Sequence, residues 1–322
     1  VAARRPALIR TAVIGVGYLG RFHAQKYASL PNSQLVGVAD PSATARAAVG
    51  AELKVAAHED YRDLLGKVDA VSIVTPTASH FEVAKDFLEA GASVLVEKPM
   101  TVTIAEGEGL IDIAARLKRV LQVGHLERFN AAVLAVQPTL TVPRFIESAR
   151  LAPFKHRGTD VDVVLDLMIH DIDLILSIVR SPVVSVDAIG TSVFSNEIDI
   201  ANARLRFANG CVANATASRV SLKTERKLRL FQDDAYLSLD LQQKILTVIR
   251  KGEGMGPDGM PQVAIDEKTY EQGDALKSEI EAFLDAVATG QAPPVTGADG
   301  LLALRTAVSI GEQVLSSMQK FS

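Results

Sequence analysis

The segment "DLMIHDIDLIL", residues 166–176, sets a histidine and three aspartates among leucine, isoleucine and methionine. Unpaired charge is expensive to bury, so the pattern needs an explanation. Wound as a helix, with about 100° per residue, Asp166, His170, Asp173 and Ser177 fall on one narrow stripe. Leu167, Met168, Ile172, Leu174, Ile175 and Leu176 cover most of the remaining surface. Asp171 lies off the stripe among apolar neighbours, and the sequence offers no account of it. Taken alone, the stripe reads as a solvated helix face. Asp166, His170 and Asp173 also form a nominal metal constellation, but three ligands on one helix rarely converge on one ion, and no metal is expected.

Two other stretches carry chemistry by residue type and spacing. "VIGVGYLG" supplies Gly15, Gly17 and Gly20 in the G-x-G-x-x-G spacing, with Tyr18 and Leu19 between the last two glycines. Such a turn lets the backbone approach a pyrophosphate at a helix N-terminus. Asp40 follows twenty residues after Gly20, where a carboxylate accepts hydrogen bonds from both ribose hydroxyls and repels a 2′-phosphate. NAD is therefore expected over NADP, the alternative being a structural turn with Asp40 capping the next helix. "LVEKPM" puts Glu97, Lys98 and Pro99 at the carboxyl end of an apolar strand, where ligands of open parallel sheets bind. An X-Pro bond can be cis, which would set the lysine's direction. The plain alternative is a surface lysine before a helix-starting proline.

The elements that must position these residues alternate regularly at first. "LIRTAVIG", "QLVGVAD", "DAVSIVTP", "ASVLVEKP" and "VLQVG" are short apolar strands separated by helical segments, which predicts a parallel sheet covered on both faces. The pattern ends near Gly124. From about Thr141 onward the strands follow one another with short connections, interrupted only by the 166–176 helix, and "KGEGMGPDGMPQ" reads as a mobile loop. The fold class is thus α/β. A Rossmann-type doubly wound domain is expected over 1–124, and an α+β domain with a large, mostly antiparallel sheet over 125–322. The apolar breadth of that second sheet predicts cover by another subunit, hence a homodimer or homotetramer.

Composition narrows the function classes. The 322 residues are 48% hydrophobic and 22% charged, with a net charge of −4, which gives no electrostatic footprint for nucleic acid. The single cysteine, Cys211, excludes an intramolecular disulfide and a multi-cysteine zinc site and reads as a small buried hydrophobe. No apolar run reaches bilayer length, and Arg4 and Arg5 run straight into the first strand without a separate export segment. A cytoplasmic setting is expected. The chain starts at Val1 without methionine, so a segment upstream is conceivable.

The order "GVGYLG", "VTPTASH", "VEKP" and D-x-x-x-H resembles the Gfo/Idh/MocA oxidoreductases from the first strand to the last helix, where "APPVTGADGLLALRTAVSI" also fits. The resemblance implies that Lys98 is the catalytic lysine, that Asp166 and His170 are the carboxylate–histidine pair, and that Thr75, Pro76 and His80 form the loop beside the nicotinamide. On that reading the polar stripe faces a cleft. Asp166 and His170, one turn and about 6 Å apart along the axis, both reach one substrate hydroxyl. Histidine suits the base that takes the hydroxyl proton, lysine stabilises the developing alkoxide, and aspartate orients the imidazole. Members of the family differ on whether lysine or histidine takes the proton.

"VGHLERFNAAV" and "RFIESARLAPFKHRGTDVDVVLDLMIHDIDL" are most similar to members that oxidise the 3-hydroxyl of UDP-N-acetylglucosamine, whose product passes to an aminotransferase on the way to lipid A. Arg150, Lys155, His156 and Arg157, just before the 166–176 helix, are candidate partners for a nucleotide-sugar diphosphate, the alternative being a solvated basic loop. Arg128 and Asn130 are further candidates, and His125 is a weaker one that packing would explain equally well. The rivals are an inositol or free-aldose dehydrogenase and a dinucleotide-sensing regulator without catalysis. A regulator would be expected to lack the lysine or the histidine, and both are present.

Overall fold

The structure, a computed structural model, describes residues 8–154, 161–255, 259–271 and 273–320. The chain divides into two units: Val1–Leu126 with Asp274–Leu301, and Glu127–Gly273 with Leu302–Ser322. The first break falls two residues from the expected boundary at 124. The return of 274–301 to the first unit was not expected.

In the first unit, β1 (Ile9–Ile14), α1 (Tyr18–Ser29), β2 (Ser33–Ala39), α2 (Ala43–Leu53), β3 (Ala56–His58), β4 (Ala70–Ile73), α3 (His80–Glu89), β5 (Ser93–Glu97), α4 (Ile104–Leu117) and β6 (Leu121–Gly124) follow in order. The six strands form a parallel sheet in the order β3-β2-β1-β4-β5-β6. Every residue of β4 is buried, as are the first four of β5, which explains why these strands read as unbroken apolar runs. The exposed, three-residue β3 carries no such signal.

The second unit contains α5 (Ala131–Val136), β7 (Phe145–Leu151), a π-helical turn over Val164–Met168, α6 (Ile169–Val179) and strands β8 (Val183–Thr191), β9 (Ile200–Phe207), β10 (Val212–Ser218), β11 (Glu225–Phe231), β12 (Tyr236–Asp240), β13 (Ile245–Met255) and β14 (Pro261–Thr269). Their sheet has the order β14-β13-β12-β11-β7-β10-β9-β8 and is antiparallel except for the β7–β10 pair. Of the glycine-rich stretch expected to be a loop, the part up to Met255 extends β13 and the part from Pro261 begins β14, while 256–258 lie outside the described residues.

Strands β9 and β10 alternate in burial with period two. On the core face Ala201, Ala203 and Leu205 stand opposite Ala217, Ala215 and Ala213. These small side chains leave room for Ile172 and Ile175 of α6 in the same core. The opposite face is polar. Asn202 donates to Thr216 at 2.8 Å, Arg204 donates to Asn214 at 3.1 Å, and Arg229 lies 3.4 Å from Glu147. The central strands therefore bury their apolar sides within the unit, whereas the edge strands β8 and β14 leave Val184, Ile189, Val263 and Ile265 exposed.

Two helices close the chain, α7 (Ala275–Thr289) and α8 (Gly297–Lys320). Leu276, Ile280, Phe283 and Leu284 of α7 share a core with Val13, Ala24, Tyr27 and Leu95, and Lys26 of α1 pairs with Asp274. A bridge between Gln122 and Thr296 extends the contact to β6. These packing partners draw 274–301 into the first unit. Among the described residues no helix is long and apolar enough to cross a membrane.

Candidate active site

In the first unit the strand ends of β1, β2 and β4 open onto a cleft of about 860 Å³, lined by Gly15, Gly17, Asp40, Tyr61, Thr75 and Pro76 among others. Gly15 has φ +82°, and a Cβ there would meet Val74 O at 2.6 Å; one on Gly20 would lie 1.8 Å from Gly15 O. Both positions require glycine. At Gly17 an added Cβ meets nothing within 4 Å, so the loop surface there is open. Gly17 begins α1 without a side-chain cap, and no acidic residue sits in the first turn, which keeps the positive end of the helix available to an anion. Tyr18 is largely exposed and stacks edge-on with Phe22, while Leu19 is half-buried beside it.

Asp40 is held rigidly. Its Oδ2 accepts from Val16 N at 2.8 Å and its Oδ1 from Ser42 N at 2.8 Å. Glu59, Asp60 and Asp63 line the cleft too, but Arg46 pairs with Glu59 and Arg62 with Asp60, so discrimination against a 2′-phosphate falls to Asp40. Glycine cradle, uncapped helix and acidic ribose end together fit a non-phosphorylated dinucleotide. The sequence reading missed Glu59, Asp60, Tyr61 and Arg62. Their signal was the turn "HEDYRD" after β3, which is hidden when that strand goes unseen.

Lys98 follows β5 and is half-buried, and the Lys98–Pro99 bond is cis. His80 is buried, with Nε2 2.8 Å from Thr75 O and Nδ1 2.9 Å from Pro99 O. It thereby ties the Thr75–Pro76 loop to the Lys98–Pro99 loop. Burial holds its pKa below the ordinary histidine value even though Thr75 and Pro99 favour the charged ring. The Glu97 carboxylate turns to His23 and to the Lys98 backbone. His80 thus supports the Thr75–Pro76 loop of the cleft, and Glu97 the backbone of Lys98.

In the second unit Asp166 lies within the π-helical turn and His170 in the first turn of α6, both half-buried. Asp162 starts the helix, accepting from Val164 N at 2.8 Å and Leu165 N at 2.9 Å. The rest of the expected stripe behaves differently. Asp173 is buried and takes a bidentate pair of 2.7 Å bonds from Arg128.

Asp171 also finds its explanation here. It is fully buried and accepts from Arg150 Nε at 2.7 Å and Nη2 at 3.2 Å, while Arg150 Nη1 donates to Glu127 at 3.0 Å. Burial alone would lower the Arg150 pKa, but the carboxylates of Asp171 and Glu127 outweigh it and hold the guanidinium above its ordinary value. At 3% exposure Arg150 joins β7 to α6, which corrects its expected role as a substrate contact. Asn130 is corrected likewise. It caps α5 by accepting from Ala132 N at 3.1 Å and donates to Leu241 O at 2.8 Å. Lys155, His156 and Arg157 lie outside the described residues, and His125 is buried. Burial pushes the Cys211 thiol up to about 11, in keeping with a packed hydrophobe.

Known proteins resemble this chain along its length. Residues 9–125 match the GFO/IDH/MocA oxidoreductase family with its NAD-binding Rossmann fold, and residues 133–238 match the GFO/IDH/MocA C-terminal domain. UDP-N-acetylglucosamine 3-dehydrogenase of Acidithiobacillus ferrooxidans is 42% identical over 313 residues, spanning 97% of this chain and 99% of that one. A solved structure of that enzyme is similar with a TM-score of 0.90, covering 95% of this chain and 97% of the other. Inositol 2-dehydrogenase of Rhizobium meliloti is 25% identical over 328 residues, spanning 97% of this chain and 98% of its own.

Proposed function

Because the chain belongs to the Gfo/Idh/MocA family of NAD-dependent oxidoreductases that act on CH–OH groups, we propose that it oxidises the 3-hydroxyl of UDP-N-acetylglucosamine or a closely related nucleotide sugar. The observation that carries this reading is the near full-length likeness to an enzyme named for that reaction, at 42% identity against 25% for the inositol enzyme.

NAD bound in the first unit's cleft supplies the hydride acceptor. The chain's own residues divide the remaining work. The Gly15–Gly20 turn and the start of α1 bind the pyrophosphate, and Asp40 binds the ribose hydroxyls. A ring nitrogen of His170 takes the hydroxyl proton as hydride departs, with Asp166 one turn away orienting the imidazole. The Lys98 ammonium stabilises the alkoxide as its charge develops. The reading also includes self-association through the eight-stranded sheet, a cytoplasmic setting, and a place ahead of an aminotransferase in lipid A formation.

The test is NADH formation at fixed enzyme and NAD with UDP-N-acetylglucosamine, UDP-glucose, myo-inositol and glucose. Turnover is expected with the UDP-sugars, highest with UDP-N-acetylglucosamine. Turnover with myo-inositol or glucose and none with either UDP-sugar would overturn the substrate assignment. NAD binding without reduction by any of the four would favour a sensor.

A further inference from the structure

The first unit buries a group of ionisable side chains that hydride transfer does not employ. His23 of α1, Glu97 at the end of β5 and Glu279 of α7 each offer a donor atom within 4.8 Å of the others. Glu97 is their hub. Its Oε1 lies 3.2 Å from His23 Nε2, and its Oε2 accepts from the backbone N–H of Lys98 at 3.3 Å. Gly124 stands directly opposite Glu97 in the β5–β6 register, and a Cβ there would come within 2.9 Å of the carboxyl carbon. The seat for this carboxylate is therefore built into the sheet.

Glu279 has no exposure, and neither of its carboxyl oxygens has a hydrogen-bond partner. A buried, ionised carboxylate beside a second carboxylate is heavily disfavoured, and a pair so placed shares a proton. Glu97 retains 14% side-chain exposure and lies in contact with His23 and the Lys98 N–H, whereas Glu279 has neither exposure nor such partners, so the neutral form belongs to Glu279. Burial, and then the charge of Glu97, raise the Glu279 pKa well above the carboxyl range. The other groups facing the cluster do not reverse this. Tyr27 of α1 is neutral, its pKa raised by burial, while Gln122 of β6 donates to the Glu279 backbone oxygen at 3.2 Å. His80 of α3 senses Glu97, but burial lowers its pKa.

We propose that His23, Glu97 and Glu279 form a positioning triad behind Lys98, in which Glu279 is held as a neutral acid, so that no second charge repels Glu97 from the Lys98 backbone. The positioning half rests on the reading of Lys98 as a catalytic residue, whereas the protonation half does not.

Two variants and an infrared spectrum separate these halves. A carboxylic-acid carbonyl band is expected in the wild type at neutral pH and is lost in Glu279→Gln, whether or not Lys98 is catalytic. The wild type should also lose stability relative to Glu279→Gln as pH rises. A raised folded-state pKa gives stability that is full below the unfolded carboxyl range and is lost as pH climbs through the folded value. The amide cannot titrate, so the gap in Tm widens toward alkaline pH. In kinetics, the wild type should lose kcat about tenfold over the same rise in pH with the KM for NAD unchanged, and Glu279→Leu and Glu279→Gln, which cannot ionise, should keep it. No acid band together with a pH-independent Tm gap would overturn the protonation. A stoichiometric divalent ion lost in Glu279→Gln would overturn it in favour of a metal site. If Glu279→Leu does not fold, the infrared and Tm results still decide the protonation. Glu279→Gln kinetics then decide the positioning, a tenfold fall in its kcat counting against it.

Discussion

His80 illustrates how a residue can be identified from sequence while its work is not. "VTPTASH" marks it as belonging beside the cofactor, but the structure spends its ring nitrogens on the carbonyls of Thr75 and Pro99. Its depressed pKa fixes the sign of a pH effect. A lowered folded-state pKa gives stability that is present above the unfolded histidine value, about 6.5, and is lost as pH falls through the folded value. Thermal melts of the wild type should therefore decline as pH falls below that range, and His80→Asn should flatten the decline. An equally steep decline in the variant would refute the assignment. The glycines and Asp40 were legible for a simple reason: their geometry is local to one strand–turn–helix unit. Arg150 was not, because its partners on Glu127 and α6 are brought to it only by the fold.

The same long-range pairing dominates at the scale of elements. Asp171 sits on the apolar side of α6 because β7 presents Arg150 to it, and strand register across a sheet leaves no trace in helical periodicity. Removing Asp171 takes from the buried Arg150 one of its two carboxylates and leaves it Glu127. Asp171→Ala should lose about 3–5 kcal/mol, seen as a lowered midpoint in urea unfolding. The double replacement Arg150→Met with Asp171→Leu should recover most of that loss. A single variant as stable as wild type would show that Arg150 finds water or another carboxylate. Strand β14 escaped notice because it is exposed from Gln262 to Thr269, so "VAIDEKT" carries no apolar alternation, and Asp166 lies in a π-helical turn that a 3.6-residue period cannot reveal.

For the whole molecule, what the sequence concealed was the path of the chain. The change from alternating to consecutive strands places the first break near Gly124, two residues short of the division after Leu126, but nothing local says that 274–301 returns to the first unit. The consequence is measurable. Leu276, Ile280, Phe283 and Leu284 are buried in that unit's core, and at roughly 1.5–3 kcal/mol each they rival the net stability of a domain. A fragment ending at Leu126 should fail to fold cooperatively, whereas one joining residues 1–126 to 274–301 through a flexible linker should fold and gain Tm with NAD. The proposed mechanism, by contrast, assigns roles to residues of both units, Lys98 of the first and His170 of the second. The most direct measurement of that division is the single-turnover rate of NADH formation in Lys98→Ala, His170→Ala and the double variant. If both groups act on one substrate hydroxyl, each single change slows the step by about 10²–10⁴ and the double variant is scarcely slower than the worse single. Near-normal rates in both single variants, or losses that simply multiply, would contradict it.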